Sequence, residues 1–409
     1  MSDLRRSWVA GANDPGTDFP LNNLPYGVFS TGALSPRCGV AIGDHILDVA
    51  SAEERGLTGT DGLLRDARWN PLMAAGPQAW QDFRARLIQL LAEGAEKRAA
   101  VEPLLVPMSD ARPHMPFAVT EYTDFYACRQ HATNVGTMFR GPENALPPNW
   151  LHIPIGYNGR ASTVVVSGTE IRRPLGQTKA RDAAAPEFGP SKRLDIELEI
   201  GAIVGTPSQM GQPVTVAQAR QMIFGYVLLN DWSARDIQAW EYQPLGPFQA
   251  KAFATSISPW IVTTEALAPF AAPAPTREVP LLPYLHEDSP GLYDVALSVE
   301  MNGQTISTTN MRELYYSSAQ QLAHHASSGC AMRTGDLLGS GTISGPTPEN
   351  CGSLLEMTWG GANPITVGGE PRTFIEDGDT LTLKGHAQGA GFRIGFGACT
   401  GTIRPAPDI

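Results

Sequence analysis

The chain has 409 residues, and 42% of them are hydrophobic, which suffices for one large or two ordinary domains with a sizeable core. A formal net charge of -11, with no run of lysine or arginine, excludes a basic surface for nucleic acid or an anionic membrane. We therefore expect a small-molecule partner. The 42 glycines and 34 prolines, spread without a repeat, predict many turns between short strands.

The cysteines are odd in number, widely spaced and without a Cys-x-x-Cys pair: Cys38, Cys128, Cys330, Cys351 and Cys399. This pattern indicates the reduced thiols of a cytoplasmic protein and disfavours zinc. The apolar stretch 7–12 is too short for a signal peptide, and no apolar run approaches the length of a membrane span.

Residues 1–115 are predicted to form a separate N-terminal domain, and residues 116–409 a larger second one. Strand candidates at 38–42 and 45–49 are joined by a turn at Gly43 and Asp44. Apolar residues at helical spacing then predict one amphipathic helix: Trp80, Phe83, Leu87, Leu90 and Leu91. The boundary is placed where prolines punctuate the chain: Pro103, Pro107, Pro113 and Pro116.

The stretch 121–140 is the richest in chemistry. Asp124 could bind a metal, His131 could move a proton near neutral pH, and Arg140 could hold a substrate carboxylate through a two-pronged pair. Taken singly, each has a plainer interpretation. Asp124 could cap a helix that runs through Phe125 and Tyr126, and a lone histidine is more often structural than catalytic.

The segment 194–200 alternates apolar and acidic residues, which predicts a strand with Asp195, Glu197 and Glu199 on one face. The glutamates would repel each other unless they face water or bind a cation. If Asp124 and Asp231 converge on the same face, four carboxylates need an ion, and an all-oxygen set favours Ca²⁺, Mg²⁺ or Mn²⁺.

Helix starts are predicted from capping patterns at Thr215-x-x-Gln218, Ser233-x-x-Asp236 and Asn310-x-x-Glu313, the last helix ending at Gly329. A buried strand is expected from Met222 to Leu229, and strands again from Leu354 onward.

Other polar residues offer a second set of functional groups. Arg235 and Gln238 share a helix face and, with Lys251, could stabilise oxygen charge, although such residues usually lie on a surface. The glycine-rich segment 339–345 could bind an anion or form a plain turn. Glu356, on a predicted strand, needs a partner if it is buried, and a histidine would serve.

Longer runs of the chain closely resemble the fumarylacetoacetate hydrolase family. They are Tyr122-Thr-Asp-Phe-Tyr, Arg129-Gln-His-Ala-Thr-Asn-Val-Gly, Phe139-Arg, Glu143-Asn-Ala-Leu, Asn149-Trp-Leu-His, Gly159-Arg-Ala-Ser, Val166-Ser-Gly-Thr, Asn230-Asp-Trp-Ser-Ala-Arg-Asp-Ile-Gln and Gly339-Ser-Gly-Thr-Ile-Ser-Gly. The resemblance extends to 18–30 and 39–44, so it covers nearly the whole chain. The additional N-terminal domain points to the two-domain branch of the family, over its smaller decarboxylases and acylpyruvate hydrolases.

The resemblance implies a mainly β fold with a few helices, built from a small N-terminal SH3-like barrel and a large C-terminal mixed β-sandwich roll. It also implies a homodimer. The residues that match the family's Ca²⁺ ligands are Asp124, Glu197, Glu199 and Asp231, and those that match a nearby Mg²⁺ site are Asp231, Lys251 and Thr255. An ammonium group is a poor ligand, so we expect Lys251 to stabilise charge.

The resemblance further implies that His131 is the catalytic base and that Glu356 orients it. Arg235, Gln238 and Lys251 match an oxyanion site, and the matches to substrate contacts are Tyr126, Arg140, Gln238, Tyr242 and Thr342. Two positions depart from the family pattern: Ala254 stands where the family has glycine, and Asn158 where it often has histidine. Metal identity and substrate fit are the properties that these departures put in question.

The implied reaction is hydrolysis of the carbon-carbon bond of 4-fumarylacetoacetate to fumarate and acetoacetate, the last step of tyrosine and phenylalanine breakdown. Water activated by His131 and Glu356 attacks, and the acetoacetate leaves as an enolate that the metal stabilises. One alternative is a metal-dependent decarboxylase or hydrolase of another oxo-acid, which shares the enolate step. Another is a catalytically silent scaffold, whose expected signature is loss of the base, a ligand or the oxyanion donors.

Overall fold

The computed structural model describes residues 3–180 and 182–408. The α-helices in these residues are α1 Val49–Glu54, α2 Asn70–Ala74, α3 Pro77–Leu91, α4 Arg98–Val101, α5 Arg129–Arg140, α6 Val216–Met222, α7 Arg235–Glu241, α8 Gln249–Ala252, α9 Thr264–Leu267, α10 Ser318–His325 and α11 Leu354–Met357.

The first strands of the chain are β1 Tyr26–Ser30, β2 Arg37–Ile42, β3 His45–Asp48, β4 Leu105–Pro107, β5 Arg112–His114, β6 Tyr122–Phe125, β7 Gly156–Asn158, β8 Val164–Val166, β9 Ile171–Arg172, β10 Leu175–Thr178, β11 Glu187–Pro190, β12 Leu194–Asp195, β13 Leu198–Val204 and β14 Ile223–Asp231. The later strands are β15 Ser233–Ala234, β16 Thr255–Ile257, β17 Val262–Thr263, β18 Ala271–Ala272, β19 Leu292–Tyr293, β20 Ala296–Met301, β21 Gln304–Asn310, β22 Leu337–Gly339, β23 Ile365–Val367, β24 Glu370–Arg372, β25 Thr380–Gln388, β26 Arg393–Gly395 and β27 Cys399–Arg404.

The N-terminal part of the chain forms a five-stranded sheet in the order β4-β3-β2-β1-β5. All four pairings are antiparallel, and β2 and β3 meet at the predicted turn, where Gly43 has a φ of +58°. Helix α3 contains the predicted amphipathic stripe, and its buried side chains include Phe83, Leu87 and Leu90. The strands and the helix expected here are confirmed.

Two larger sheets dominate the rest of the chain, which also contains four two-stranded sheets among the described residues. An eight-stranded mixed sheet runs in the order β7-β6-β22-β13-β14-β16-β8, with β17 also paired to β14. A six-stranded sheet runs β21-β20-β25-β27-β9, with β26 paired to β25. The predicted class is therefore confirmed, namely a mainly β fold with a small N-terminal unit and a large C-terminal one.

Strand β14 is buried along its whole length because its two faces belong to two different cores. Val227 and Leu229 pack into the apolar cluster that contains α3 and the N-terminal strands. Tyr226 and Leu228 point the other way, into the larger cluster of the C-terminal part. The N-terminal unit thus covers one face of the sheet that carries the acidic residues. The boundary at residue 115 stays a prediction.

The alternating segment 194–200 is not one continuous strand, which corrects the sequence prediction. Leu194 and Asp195 pair with β15, whereas pairing with β14 starts only at Leu198. All of these residues are buried, so the alternative of a solvated acidic face is wrong. The interruption lets the chain change its partner strand between Asp195 and Leu198.

Two predicted helix starts are also corrected. Asn310 caps only a short 3-10 turn, and α10 starts afterwards at a capping box formed by Ser317 and Gln320. Helix α7 begins at Arg235 without a side-chain cap, because Asp236 instead accepts hydrogen bonds from Ser191 Oγ and Lys192 N at 2.6 and 2.7 Å. The capping box at Thr215 is confirmed.

Two further features agree with the sequence. The five cysteines are free thiols, as expected. Within the ranges that the structure describes, every helix is too short or too polar to cross a bilayer.

Candidate active site

Four carboxylates converge where neighbouring strands of the eight-stranded sheet meet. Asp124 lies on β6, Glu199 on β13, Asp231 at the end of β14, and Glu197 in the break between β12 and β13. Each residue offers an oxygen atom within 4.8 Å of the others, and all four side chains are buried. The plainer interpretation of Asp124 as a helix cap is wrong, since Tyr122–Phe125 is a strand.

The cluster fits a divalent cation. Asp124 Oδ1 and Glu199 Oε1 are buried and, among the described residues, have no hydrogen-bond partner. Burial first, and then repulsion from Asp231, raises the pKa of Asp124 well above its ordinary value, and burial with Asp124 and Glu197 does so for Glu199. Oxygen donors with uncompensated charge are what hard cations bind, so these residues can hold a metal.

Gly341 closes one side of the cluster. Its backbone N–H donates to Glu199 Oε2 at 2.9 Å, and its φ is +77°. A Cβ atom here would lie 2.2 Å from the carbonyl oxygen of Phe125, so the close approach requires glycine. The glycine-rich segment therefore donates to a carboxylate of the protein itself.

Lys251, on the one-turn helix α8, lies against the same cluster. Its ammonium group donates to Glu197 Oε2 and, at 2.8 Å, to Asp231 Oδ2. Burial alone would lower its pKa, but Asp231 and Glu197 outweigh burial and raise the pKa of Lys251. The lysine therefore remains charged. Thr255 Oγ1 and Tyr157 OH donate to the two oxygens of Asp231 at 3.0 and 2.9 Å.

Arg235, the first residue of α7, is held by two buried carboxylates. Its Nε donates to Asp195 Oδ2 at 2.8 Å, and its Nη1 lies 2.7 Å from Glu197 Oε1 and 3.2 Å from Gln238 Oε1. Although burial would raise the pKa of Glu197, Lys251 and Arg235 lower it to about 2. Arg235 Nη2 is buried and, within the described residues, has no acceptor.

His131 and Glu356 form a buried pair. His131 Nδ1 lies 2.6 Å from Glu356 Oε2, and that carboxylate also accepts from Asn134, Ser344 and Ser353 at 2.8 to 2.9 Å. Burial would raise the pKa of Glu356, but the nearby His131 and the hydrogen-bond donors lower it. Glu356 lies on helix α11, so the prediction that it lies on a strand is wrong.

A cavity of about 360 Å³ opens onto these groups. Its lining includes the residues Asp124, Tyr126, His131, Arg140, Glu197, Arg235, Gln238, Tyr242, Lys251 and Thr342. Glu199, Asp231, Thr255 and Glu356 are not part of the lining and support it from behind. The structure therefore brings together all of the residues that the sequence indicated, while their individual roles remain predictions.

The polar side chains that line the cavity away from the acidic cluster differ in how they are held. Arg140 Nε and Nη2 donate to the carbonyl groups of Asn144 and Ala145 at 3.1 and 2.7 Å. Thr342 Oγ1 is buried and has no partner within the described ranges. Tyr242 is 38% exposed and lies 6.5 Å from Phe139, measured between ring centroids. These side chains offer donors in the wall of the cavity.

Several residues of this site were missed by sequence reasoning. Tyr157, Asn134 and Ser344 each bond a residue of the site. Asn134 and Ser344 lie within the runs that carry the family resemblance, but their bonds to Glu356 are formed only in the folded chain. Asp195 was placed beside Glu197 by the alternation, but its bond to Arg235 was not foreseen. Of the two departures from the family pattern, Ala254 is buried in the C-terminal core, and neither it nor Asn158 lines the cavity.

Comparison with known proteins covers both parts of the chain. The family model described as fumarylacetoacetase N-terminal matches residues 22–116, and that described as fumarylacetoacetate (FAA) hydrolase C-terminal matches residues 120–404. Fumarylacetoacetase of Homo sapiens is 48% identical, over 98% of this chain and 99% of its own. Fumarylacetoacetase of Arabidopsis thaliana is also 48% identical, over 96% and 98% of the two chains.

Solved structures share the fold at low sequence identity. A fumarylacetoacetate hydrolase from Exiguobacterium antarcticum matches with a TM-score of 0.56 at 16% identity, over 93% of this chain and 99% of its own. A maleylpyruvate hydrolase from Sphingobium sp. SYK-6, solved with manganese(II) and pyruvate, matches with a TM-score of 0.52 at 16% identity, over 94% and 100%. The sequence and family matches show that the chain belongs to the fumarylacetoacetate hydrolase family and is an enzyme, a hydrolase, of that family.

Proposed function

We propose that the chain hydrolyses the carbon-carbon bond of 4-fumarylacetoacetate, giving fumarate and acetoacetate. The observation that carries the proposal is that the buried His131–Glu356 pair and the four-carboxylate cluster meet at one cavity. A positioned base next to a cation site suits the addition of water to a diketo acid. Relatives named for this activity match nearly the full chain, which supports the same substrate.

The substrate would be oriented by donors in the wall of the cavity. Arg140 and Tyr126 would hold its carboxylate, since a guanidinium and a phenol both donate to carboxylate oxygens. Gln238, Tyr242 and Thr342 would contact the rest of the molecule. All five side chains line the cavity, and the buried hydroxyl of Thr342 still lacks a partner within the described chain.

His131 would act as the general base. Because its Nδ1 faces Glu356, its Nε2 is the ring nitrogen left to take a proton from water. The water oxygen then bonds to the carbonyl carbon beside the fumaryl group. General-base help of this kind is typically worth about 10²- to 10⁴-fold in rate.

The alkoxide formed by this attack needs donors that are already in place. Arg235, Gln238 and Lys251 line the cavity together, and Arg235 Nη2 is a buried donor with no acceptor among the described residues. Since Gln238 Oε1 already accepts from Arg235, its amide N–H groups are directed to other acceptors. Loss of one good donor of this kind typically costs about 3 to 4 kcal/mol.

Collapse of the alkoxide breaks the carbon-carbon bond and leaves its electron pair on acetoacetate as an enolate. The protonated His131 then returns a proton to the enolate carbon, which restores the base. The fumaryl fragment leaves as the carboxylic acid and loses its proton to solvent, so one water is consumed and one proton is released for each substrate cleaved.

We propose that Asp124, Glu197, Glu199 and Asp231 hold Ca²⁺, and that Asp231 and Thr255 lie beside a Mg²⁺ site. Such an ion, when bound, would supply Lewis-acid stabilisation of negative charge on substrate oxygens. Lys251 has no free lone pair when it is charged, so we assign it to charge stabilisation.

The proposal is tested by following 4-fumarylacetoacetate consumption by the purified protein, with fumarate and acetoacetate measured separately. The assay is run before and after chelation, and again after Ca²⁺ or Mg²⁺ is returned. Metal-restored release of both products in equal amounts is the expected result. Failure to cleave the substrate with either ion would reject the assignment and lead to oxaloacetate and acylpyruvates as substrates.

We also propose a homodimer and a place in tyrosine and phenylalanine breakdown, both from the family resemblance. Light scattering during size-exclusion chromatography measures the first directly: the expected mass is twice the 43.8 kDa of the chain. A mass of one chain at assay concentration would reject the dimer.

A further inference from the structure

Asp195 is a fully buried carboxylate that lies outside the four-carboxylate cluster and has no role in the proposed chemistry so far. Each of its oxygens accepts two hydrogen bonds. Oδ1 accepts from the backbone N–H groups of Ile196 and Leu354, both at 2.8 Å. Oδ2 accepts from Arg235 Nε at 2.8 Å and from the N–H of Leu355 at 3.0 Å.

One of these contacts fixes the guanidinium of Arg235. Asp195 holds Nε and Glu197 holds Nη1, which leaves Nη2 as the buried donor without an acceptor among the described residues. Two carboxylates on two edges of a planar group define its orientation. Glu197 also contacts Lys251 and belongs to the acidic cluster, whereas Asp195, within the described residues, has no hydrogen bond or ion pair to Lys251 or to the four carboxylates.

Two other contacts fix the first turn of α11. The N–H groups of Leu354 and Leu355 have no partner within so short a helix, and Asp195 accepts from both. The same turn carries Glu356, which bonds His131 Nδ1 at 2.6 Å. A shift of this turn would therefore move the carboxylate that orients the base.

We propose that Asp195 is a positioning residue that fixes the position of the oxyanion donor Arg235 relative to the His131–Glu356 base. The inference rests on the proposed hydrolysis, because it concerns the geometry of that reaction. A carboxylate that only stabilised the fold would not need to join these two groups. Displacing a reacting group by about 1 Å can cost on the order of 10²-fold in rate.

Asp195→Asn tests the proposal, because asparagine keeps the size but replaces one acceptor oxygen with an amino group. We expect kcat to fall about 10- to 100-fold and KM to change less than about threefold, since the loss is in transition-state geometry. Affinity for a phosphinate analogue of the tetrahedral adduct should fall by a similar factor. Ca²⁺ affinity, measured by calorimetry, should stay within about twofold because no oxygen of the cluster is changed.

Asp48→Asn is the matched control. Asp48 is also buried, accepts from the N–H of Ser51 at the start of α1 at 2.9 Å, and pairs with Arg37 at 3.2 Å, far from the cavity. It should lose stability like any cap variant while kcat per folded molecule stays within about twofold.

Asp195→Glu provides a second variant if Asp195→Asn does not fold. It keeps the charge beside Arg235 but displaces it by one methylene. We therefore expect a folded protein with a lower kcat and a lower affinity for the phosphinate analogue. A folded variant of either kind with kcat within about threefold of the native value would overturn the positioning role. If instead the native protein does not cleave 4-fumarylacetoacetate, the proposed function fails before this inference is reached.

Discussion

At the scale of single residues, Glu197 shows how the site keeps buried charges in place. One of its oxygens accepts from Arg235 and the other from Lys251, and both cations lower its pKa to about 2. Removing one member of such a buried network leaves the others without compensation, which is costly. The network thus holds two cations at the cavity.

His131→Ala should lower kcat by about 10²- to 10⁴-fold, because the general base is lost. The fold and the Ca²⁺ content should remain nearly those of the native protein, since His131 is not one of the four carboxylate residues proposed to bind the metal. Steady-state kinetics and metal analysis measure both. His45→Ala is the control, because the side chain of His45 pairs with Asp44 in the N-terminal sheet region and does not line the cavity. Retained turnover in His131→Ala would exclude His131 as the base.

Asp336 should contribute to the pH dependence of the free energy of unfolding. Burial raises its pKa from 3.8 to about 6, and Oδ2 accepts from the N–H of Arg333 at 2.8 Å. Since the folded state binds this proton more tightly than the unfolded state, the carboxyl group lowers stability as pH rises through about 4 to 6. Denaturant unfolding at about pH 4.5 and about pH 7 measures this effect. The free energy of unfolding of Asp336→Asn, relative to that of the native protein, should be larger at the higher pH. An identical difference at both pH values would contradict this.

At the scale of elements, α5 depends on close contact with the turn that follows it. Gly136 faces the carbonyl of Ala145, and a Cβ atom there would lie 1.8 Å from that oxygen and 2.6 Å from Arg140 Nη2. Arg140 itself donates to the same carbonyl at 2.7 Å. The helix, the turn and the proposed carboxylate-binding arginine therefore form one unit.

Gly136→Ala should raise KM more than it lowers kcat, because the methyl group displaces the turn and Arg140 while leaving His131 in place. Helix propensity alone would favour alanine by about 1 kcal/mol, so any loss of function reports the steric contact. Steady-state kinetics with 4-fumarylacetoacetate measure the two constants. Gly32→Ala, at an exposed site with open space around the added Cβ, controls for glycine replacement in general. An unchanged KM would show that the turn accommodates the methyl group without displacing Arg140.

At the scale of the whole molecule, the acidic cluster joins strands that are far apart in the chain. A divalent cation bound there would link β6, β13 and β14, and binding to the folded state alone stabilises it. At about 100 times the dissociation constant the gain is about 2.7 kcal/mol. Ca²⁺ or Mg²⁺ should therefore raise the thermal midpoint of the native protein.

Glu199→Gln should remove most of this metal-dependent rise, because Glu199 is a buried member of the cluster and contacts neither Arg235 nor Lys251 in an ion pair. Differential scanning calorimetry with and without each cation measures the shift. Asp336→Asn, which leaves the four carboxylates unchanged, should keep the metal-dependent rise in the thermal midpoint. Equal shifts in Glu199→Gln and the native protein would place the metal elsewhere.

Local signals in the sequence were sufficient for several elements. The stripe of α3, the capping box of α6 and the hairpin of β2 and β3 depend on contacts within a few residues, so their patterns are legible in the printed chain. Residue types also indicated candidate residues of the site, although each of them had a plainer interpretation when it was taken singly. The family resemblance supplied the roles that the patterns left open.

Other features depend on partners that are distant in the chain. Asn310 starts only a short turn because the backbone of Leu314 and Tyr315 pairs with Cys128 and Ala127. Glu356 lies on a helix because Ser353 caps it and Asp195, from a remote strand, accepts from its first amides. Ser353-x-x-Glu356 is a local capping pattern, whereas no local pattern indicates the contribution of the remote Asp195 carboxylate.

The meeting of Asp124, Glu197, Glu199 and Asp231 belongs to the same class. It requires β6, β22, β13 and β14 to pair in that order, which is a property of long-range strand pairing. Sequence patterns extend over a few residues, whereas the distances between functional groups are set by pairings across the whole fold. The residue types of the candidate site could therefore be predicted from the sequence, whereas the distances between them depend on the assembled sheet.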